Sequence, residues 1–498
     1  MDLIYKEHEG QGSYVESYKN VSPAEFRDYL SSLMISGYSI HENNVGDNSF
    51  VILRKGDDMV LVAYYSRILE MRIVTEPNSS YFSFKDTPCE EKTEPLLIQV
   101  DLVDPAMSYA VRLCDGRFIV FDGGFETEDD ADRLMKCLKK YSPHERPIIA
   151  AWIQTHPHVD HYRCYLVFDQ KYADDVVIER YVFNFPDAVL DPDRLPDMTK
   201  RYENVARFFA IVERVGAPVY KAHTGQTFEL GGAKLKVLSS PDDNFFVPVR
   251  DFNNFSLVIK MTIAGQEILW TGDCSCKAAK LAERFGEHLK ADILQVPHHM
   301  FYGGDEATYA FVNPHTCVVP SLEENVLGGY SLHRSSCRDA SRFLVYDLDV
   351  QDFFASGNGD VVLHLPYTPR PNGKRILLDK IGEWQRTLGA RSWYFDDVTA
   401  DDCDFTIINP IYDSADIYAD LLFEDSKNVV ESVKITVPRR SFKRINLMDP
   451  EDADPDALSH NKSSLAKKGI PEGAVFAVHF KSSMPIVIKG KNPAVYCG

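Results

Sequence analysis

At 498 residues the chain is longer than one hydrophobic core usually supports, so two or three domains are expected. Its 44% hydrophobic and 26% charged residues are those of a globular protein, which excludes a disordered or fibrous chain. With 54 basic against 74 acidic side chains, the net charge of −20 opposes diffuse binding to nucleic-acid phosphates or anionic membranes, so a polyanionic substrate needs a locally positive site.

The first residues, Met1-Asp2-Leu3-Ile4-Tyr5-Lys6, have neither the basic start nor the apolar core of a signal peptide, and no apolar run is long enough for a membrane span. The expectation is a cytoplasmic protein. Ten scattered cysteines suit reduced thiols rather than a disulfide framework, and the close pair Cys274-Ser275-Cys276 reads better as small buried hydrophobes than as metal ligands.

Residues 1–92 read as a small α/β domain. Ser22-Pro23-Ala24-Glu25 combines an N-cap serine, a proline at the first helical position and a capping-box glutamate, and Gly37 stops the apolar stretch. Strand-like runs follow at Phe50-Val51-Ile52-Leu53 and from Met59 to Tyr65, separated by Gly56-Asp57-Asp58.

Residues 96–366 alternate strand-like and helix-like segments, as α/β domains do. The run Arg117-Phe118-Ile119-Val120-Phe121 leads into Asp122-Gly123-Gly124. A helix follows, acidic at its start and ending in Lys139-Lys140, as the helix dipole prefers. Ile148-Ile149-Ala150-Ala151-Trp152-Ile153 then reaches a histidine cluster. Two further runs flank Ala264-Gly265, a two-residue hairpin signal, and deliver Asp273 to a strand end. Beyond the turn-forming Pro369-Arg370-Pro371-Asn372-Gly373 and a short helical stretch near Trp384, residues 385–498 read as strands separated by turns, a β-sandwich.

The residues that carry chemistry begin with Thr155-His156-Pro157-His158-Val159-Asp160-His161. Three imidazoles and a carboxylate within six residues form the nitrogen and oxygen donor mixture that zinc and its neighbours take. His156 and His158 alternate in a loop leaving a strand and can point at one ion, while Asp160 and His161 continue toward a second.

This motif resembles the H-x-H-x-D-H signature of the metallo-β-lactamase superfamily. Asp122-Gly123-Gly124, Thr271-Gly272-Asp273 and Asp292-Ile293-Leu294-Gln295-Val296-Pro297-His298-His299 resemble that family's further motifs in order. With Asn253-Asn254-Phe255-Ser256 the set looks most like the soluble domain of ComEC-type DNA-uptake proteins. The resemblance implies a central αββα four-layer sandwich flanked by the small N-terminal α/β domain and the C-terminal β-sandwich. It implies one or two divalent ions, zinc first and manganese or iron as alternatives. Metal one would take His156 and His158, metal two Asp160, His161 and His298, chosen over His299, with Asp273 bridging. Asp160 and Asp273 would be the catalytic carboxylates. Asp122 would orient a ligand histidine or simply serve as a turn aspartate.

Two departures bear on this expectation. No histidine follows Ser239-Ser240-Pro241 to complete metal one, His223 reads as a surface or loop histidine, and Asn253 or Asn254 would have to approach instead, with His299 and His333 as further candidates. Larger residues follow both histidine motifs, among them Arg163, which either contacts an anionic substrate or is an ordinary surface arginine.

The expected activity is metal-dependent hydrolysis of a phosphoester, phosphodiesters first. Alternatives are hydrolysis of a small-molecule ester, lactone or amide, or a non-catalytic binding and assembly role. Among partners, a small-molecule substrate is expected, a membrane is not, nucleic acid is open, and the terminal domains would serve a protein partner or self-association. The last region, with Val433-Lys434-Ile435-Thr436-Val437, Arg444-Ile445-Asn446-Leu447, Gly469-Ile470-Pro471-Glu472-Gly473, Phe476-Ala477-Val478 and Pro485-Ile486-Val487-Ile488, resembles the β-sandwich of sensory-rhodopsin-transducer-like proteins.

Overall fold

The computed structural model describes residues 1–8, 12–45, 47–102, 104–185, 199–244, 252–328, 334–387, 390–410, 414–423, 430–439, 441–447, 474–491 and 494–497. Gly469-Ile470-Pro471-Glu472-Gly473 and His333 lie outside the described residues. The chain divides into two compact units, residues 1–323 with 342–374, and residues 324–341 with 375–498.

The first unit begins with six antiparallel strands and one helix. The helix runs Pro23–Ile35, and its expected cap forms: Ser22 Oγ accepts from the Glu25 backbone N–H, and Glu25 returns a carboxylate to the Ser22 N–H at 2.8 Å. Two central sheets follow. In one, strands Phe118–Asp122, Ile148–Ile153, Tyr181–Phe183 and Val219–Lys221 run parallel, with antiparallel strands Ser108–Arg112, Leu96–Gln99 and Val361–His364 extending it. The first three of these strands are buried on both faces, and Phe118–Asp122 and Ile148–Ile153 read as nearly continuous apolar runs, as helix-covered strands must. Helices Glu128–Tyr141, Cys164–Tyr172 and Thr199–Val215 contribute to their apolar cover.

The other sheet is ordered Thr227–Leu230, Ala233–Ser239, Val258–Ile263, Gln266–Trp270, Ile293–Gln295, Thr316–Leu322, Asp352–Ser356. Ala264 at φ 51° and Gly265 at φ 75° make its hairpin with both central residues left-handed, the turn whose twist matches the strands. The two sheets pack face to face through Trp270, whose ring stacks on Phe121 at 4.1 Å and meets Tyr109 edge-on at 5.2 Å. Short helices Leu281–Phe285 and Glu306–Val312 flank the connections of this second sheet, so the expected mixed α/β sandwich of two sheets and outer helices is present. The last two strands, Asp352–Ser356 and Val361–His364, belong to different sheets and are joined through Gly357 and Gly359, both at positive φ.

The second unit holds most of helices Arg334–Arg342 and Gly373–Thr387, and its strands from Ala390 onward are antiparallel. Strand Val475–Lys489 pairs with Ala390–Thr399 and Ala415–Leu422, and its far end with Asp404–Asn409. Burial alternates along Ala415–Leu422, and Phe395, Phe405 and Phe480 pack as a core triad. Among the described residues no helix is long and apolar enough to cross a membrane.

Candidate metal centre

Each functional side chain sits just past the end of a strand. Asp122 closes Phe118–Asp122 in a left-handed conformation, φ 55°. Its Oδ1 accepts the Thr155 N–H and its Oδ2 the Thr155 hydroxyl, both at 2.7 Å, which pins the histidine loop to the neighbouring strand. The same Oδ2 lies 2.7 Å from His161 Nδ1, and the Thr155 hydroxyl lies 3.0 Å from His156 Nδ1. One aspartate and one threonine thus engage the inner nitrogens of two histidines, leaving both Nε2 atoms for the centre, the arrangement metal-bound imidazoles require.

Asp273 follows Gln266–Trp270 through Gly272, which is left-handed at φ 53° and lies so close to Thr155 and Ser256 that an added Cβ would meet Thr155 Cβ at 3.0 Å. Gln295, fully buried on the adjacent strand, holds this turn by accepting the Thr271 and Gly272 N–H groups at 2.8 and 2.7 Å. Ser256 Oγ accepts the Asp273 N–H at 3.1 Å. Gln295 and Ser256 are supporting residues that carry no chemical signature of their own in the sequence.

Two donor groups share Asp273. One is Asp160, His161, Asp273 and His299, the other His156, His158 and Asp273. Asp273 Oδ2 lies 3.1 Å from His161 Nε2, 3.2 Å from His299 Nε2 and 3.9 Å from His156 Nε2, and Asp160 Oδ2 lies 3.0 Å from His299 Nε2. Ligands bound at about 2.0–2.1 Å in a tetrahedron stand roughly 3.3 Å apart, so the spacings among Asp160, His161, Asp273 and His299 match donors around one ion, while His156 belongs to the other group.

The Nε2 atoms of His156, His161 and His299 and Asp273 Oδ1 are buried and make no hydrogen bond. Burial without a partner is costly, so a set of such atoms facing one another fits a bound cation. Burial lowers the His156 basicity well below the ordinary histidine value, and His161 and His158 add to it. Burial also opposes charge on His161 and His299, but Asp273 and its neighbours outweigh it, raising His161 well above its usual value and His299 to about 10. Asp273 is correspondingly held well below the carboxylate range, because His161 and His299 overcome its desolvation.

The geometry departs from expectation at three places. His299, not His298, meets Asp160 and Asp273. Its Nδ1 donates to the Pro320 carbonyl at 2.6 Å, while His298 Nε2 lies 3.9 Å from Asp273 and accepts from Asn253 Nδ2 at 3.3 Å. The cause is a coil of three successive left-handed residues, His298, His299 and Met300 at φ 51°, 52° and 68°, which turns consecutive side chains apart.

His223 is fully buried rather than at the surface. Its Nδ1 lies 2.8 Å from Asp242 and its Nε2 3.4 Å from Glu76, and these carboxylates overcome burial and raise its pKa to about 10. Finally, Arg163 is bound by Glu126, which Arg207 also contacts at 2.9 Å, so its charge is answered within the protein. Asn254 is buried with Oδ1 lacking a partner, and its carbonyl accepts from Asn244 at 2.6 Å. Cys274 and Cys276 are buried and belong to neither donor group, as their reading as hydrophobes anticipated.

No protein-family model matches the sequence, and neither does any curated protein. Among solved structures the chain is similar to CmlA, a diiron β-hydroxylase from Streptomyces venezuelae, at 14% identity over 56% of this chain and 55% of that one, TM-score 0.33, so the chain spans about half of that hydroxylase. A metallo-β-lactamase from Cronobacter sakazakii matches at 15% identity over 55% of this chain and 100% of that one, TM-score 0.27. The Anabaena sensory rhodopsin transducer matches 21% of this chain and 83% of its own length at 21% identity, TM-score 0.16. The donor cluster itself, built only of imidazoles and carboxylates, makes this a candidate divalent-metal site.

Proposed function

We propose that the chain is a metal-dependent hydrolase acting on phosphoesters, phosphodiesters first, with zinc as its metal. The observation that supports this most is the convergence of the buried Nε2 atoms of His156, His161 and His299 on Asp273, shared between two donor groups. Divalent ions at such a paired site supply Lewis acidity toward water and toward a scissile phosphoryl group.

The chain's own residues then divide the work. Asp273 joins the two groups and balances the charge between them, Asp122 and Thr155 fix the histidine rings, and Asp160, the most exposed member of its four-residue group, would take the proton of an attacking water. His298, a quarter exposed beside Asn253 and 3.9 Å from Asp273, would in this reading contact the substrate.

The test is metal analysis of purified protein together with hydrolysis of bis(p-nitrophenyl) phosphate, p-nitrophenyl phosphate and p-nitrophenyl acetate. The reading expects one or two bound divalent ions per chain and cleavage of the diester ahead of the acetate. Protein that retains no metal after purification or reconstitution refutes the metal-dependent reading, and preferential acetate cleavage refutes the phosphoester assignment.

A further inference from the structure

A cavity of about 470 Å³ opens between the N-terminal sheet and the second central sheet. Glu267, on its wall, is the second residue of the strand whose other end leads to Asp273, so the cavity lies at the opposite end of that strand from the metal-ligand cluster. Three lysines line it on two adjacent strands. Lys236 and Lys260 are direct cross-strand partners, and Lys234 follows two residues along on the same face. Like charges placed opposite one another destabilise a sheet pair, so the arrangement carries a cost that an anion would remove.

The charges are unequally answered. Lys260 pairs with Glu267 at 2.9 Å and donates to the His288 carbonyl, Lys234 lies 3.3 Å from Glu229, and Asp47 pairs with His288 at 3.3 Å. Lys236 has no ion pair or hydrogen bond among the described residues and lies over the Phe50 ring at 5.3 Å. Burial lowers its pKa, Glu42 opposes that shift, and Lys260 and Lys234 add to it. On the facing wall, Asn48 is 5% exposed; its Nδ2 donates to the Arg284 carbonyl at 2.8 Å, but its Oδ1, which can only accept, has no partner. Phe50 and Phe285, nearly parallel at 6.3 Å, supply apolar surface between the two polar walls.

We propose that this cavity binds a small phosphorylated molecule of the nucleoside monophosphate class, its phosphate on the lysine face, a ring N–H donating to Asn48 Oδ1 and its planar part against the phenylalanines. The volume lies in the range of small-molecule sites, which run from about 300 to 1,000 Å³. In a chain of net charge −20, Lys236 is the lysine of this face without a carboxylate at ion-pair distance among the described residues, and it is the cation on which a phosphate would sit. The site is independent of the hydrolytic reading, since none of its lining residues belongs to the donor cluster.

Isothermal titration of the full chain with adenosine 5′-monophosphate, guanosine 5′-monophosphate, adenosine and inorganic phosphate tests the proposal. One monophosphate per chain is expected to bind at least tenfold more tightly than adenosine or phosphate. Lys236→Gln should weaken binding at least tenfold while leaving the ligand-free thermal midpoint unchanged or raised, because it removes a like-charge pair. Asp273→Asn should bind as the unaltered protein does. Absence of saturable binding by either nucleotide, equal binding by Lys236→Gln, phosphate binding as tightly as the nucleotide, or loss of binding in Asp273→Asn would each overturn the proposal, the last by placing the ligand at the donor cluster.

Discussion

The first compact unit buries histidine and carboxylate together at two places, and the two differ in stoichiometry. At the donor cluster, three Nε2 atoms from His156, His161 and His299 look to one oxygen, Asp273 Oδ2, at 3.9, 3.1 and 3.2 Å. At the second place a single imidazole, His223, stands between two carboxylates, Asp242 and Glu76, beside Asp243 with its partners Arg72, Arg284 and Tyr65. Carboxylates raise histidine pKa at both places, but several imidazole nitrogens gathered on shared carboxylates make a donor set for a cation, whereas one imidazole between two carboxylates is an ion cluster complete without one. The same two residue types thus make a ligand set in one case and a structural ion cluster in the other.

Removing the central residue of each cluster gives the sharpest contrast. Asp273→Ala is expected to cost more than about 100-fold in metal affinity, since even partners outside the donor set typically cost 10–100-fold, with a parallel loss of any hydrolysis. Equilibrium dialysis against zinc checks it, and unchanged affinity would erase the distinction between the clusters. His223→Gln should leave metal content intact but destabilise the fold by roughly 3–5 kcal/mol, because Asp242, fully buried, and Glu76, 13% exposed, would lose the cation between them.

The stability difference between that variant and the unaltered protein should also depend on pH. His223 is raised from 6.5 to about 10, so its contribution is complete below pH 6.5 and is lost as pH rises through about 10. Denaturant titrations at pH 6, 8 and 10 should therefore show the gap shrinking toward alkaline pH. A gap that grows would mean that His223 is neutral in the fold.

Asp122→Asn keeps the shape of the side chain but weakens its hold on His161, and a 10–100-fold loss of metal affinity is expected without loss of the fold. The smallest effect is assigned to Arg163→Ala. Its pair with Glu126 is partly exposed and Glu126 keeps Arg207, so stability should change by less than about 1 kcal/mol and metal content not at all.

Much of this was legible locally. The capping box at Ser22, the hairpin at Ala264-Gly265 and the strands that end before Asp122, His156 and Asp273 follow from periodicity and turn chemistry, which act within a few residues. What local pattern does not carry is any property set across the chain. His298 and His299 are adjacent and chemically identical, and only the left-handed coil through Met300 decides which reaches Asp160. His223 looked peripheral because its partners lie on distant segments, Glu76 on an N-terminal strand and Asp242 in a turn after Ser240. Arg163 looked available because Glu126, far from it in sequence, is brought to it by the fold.

The crossing at Gly357 and Gly359 has a consequence for synthesis. Strand Asp352–Ser356 covers the edge of Thr316–Leu322, and Val361–His364 covers the edge of Leu96–Gln99, so each central sheet receives its closing strand from one short stretch of chain. While a ribosome has yet to release that stretch, both sheets present an unpaired edge, the kind of surface on which nascent chains join one another. Every donor residue through His299 has by then been made, so the ligand set can gather before the sheets that carry it are sealed. A nascent chain stalled before residue 352 would therefore carry both edges uncovered, with every donor residue already in place.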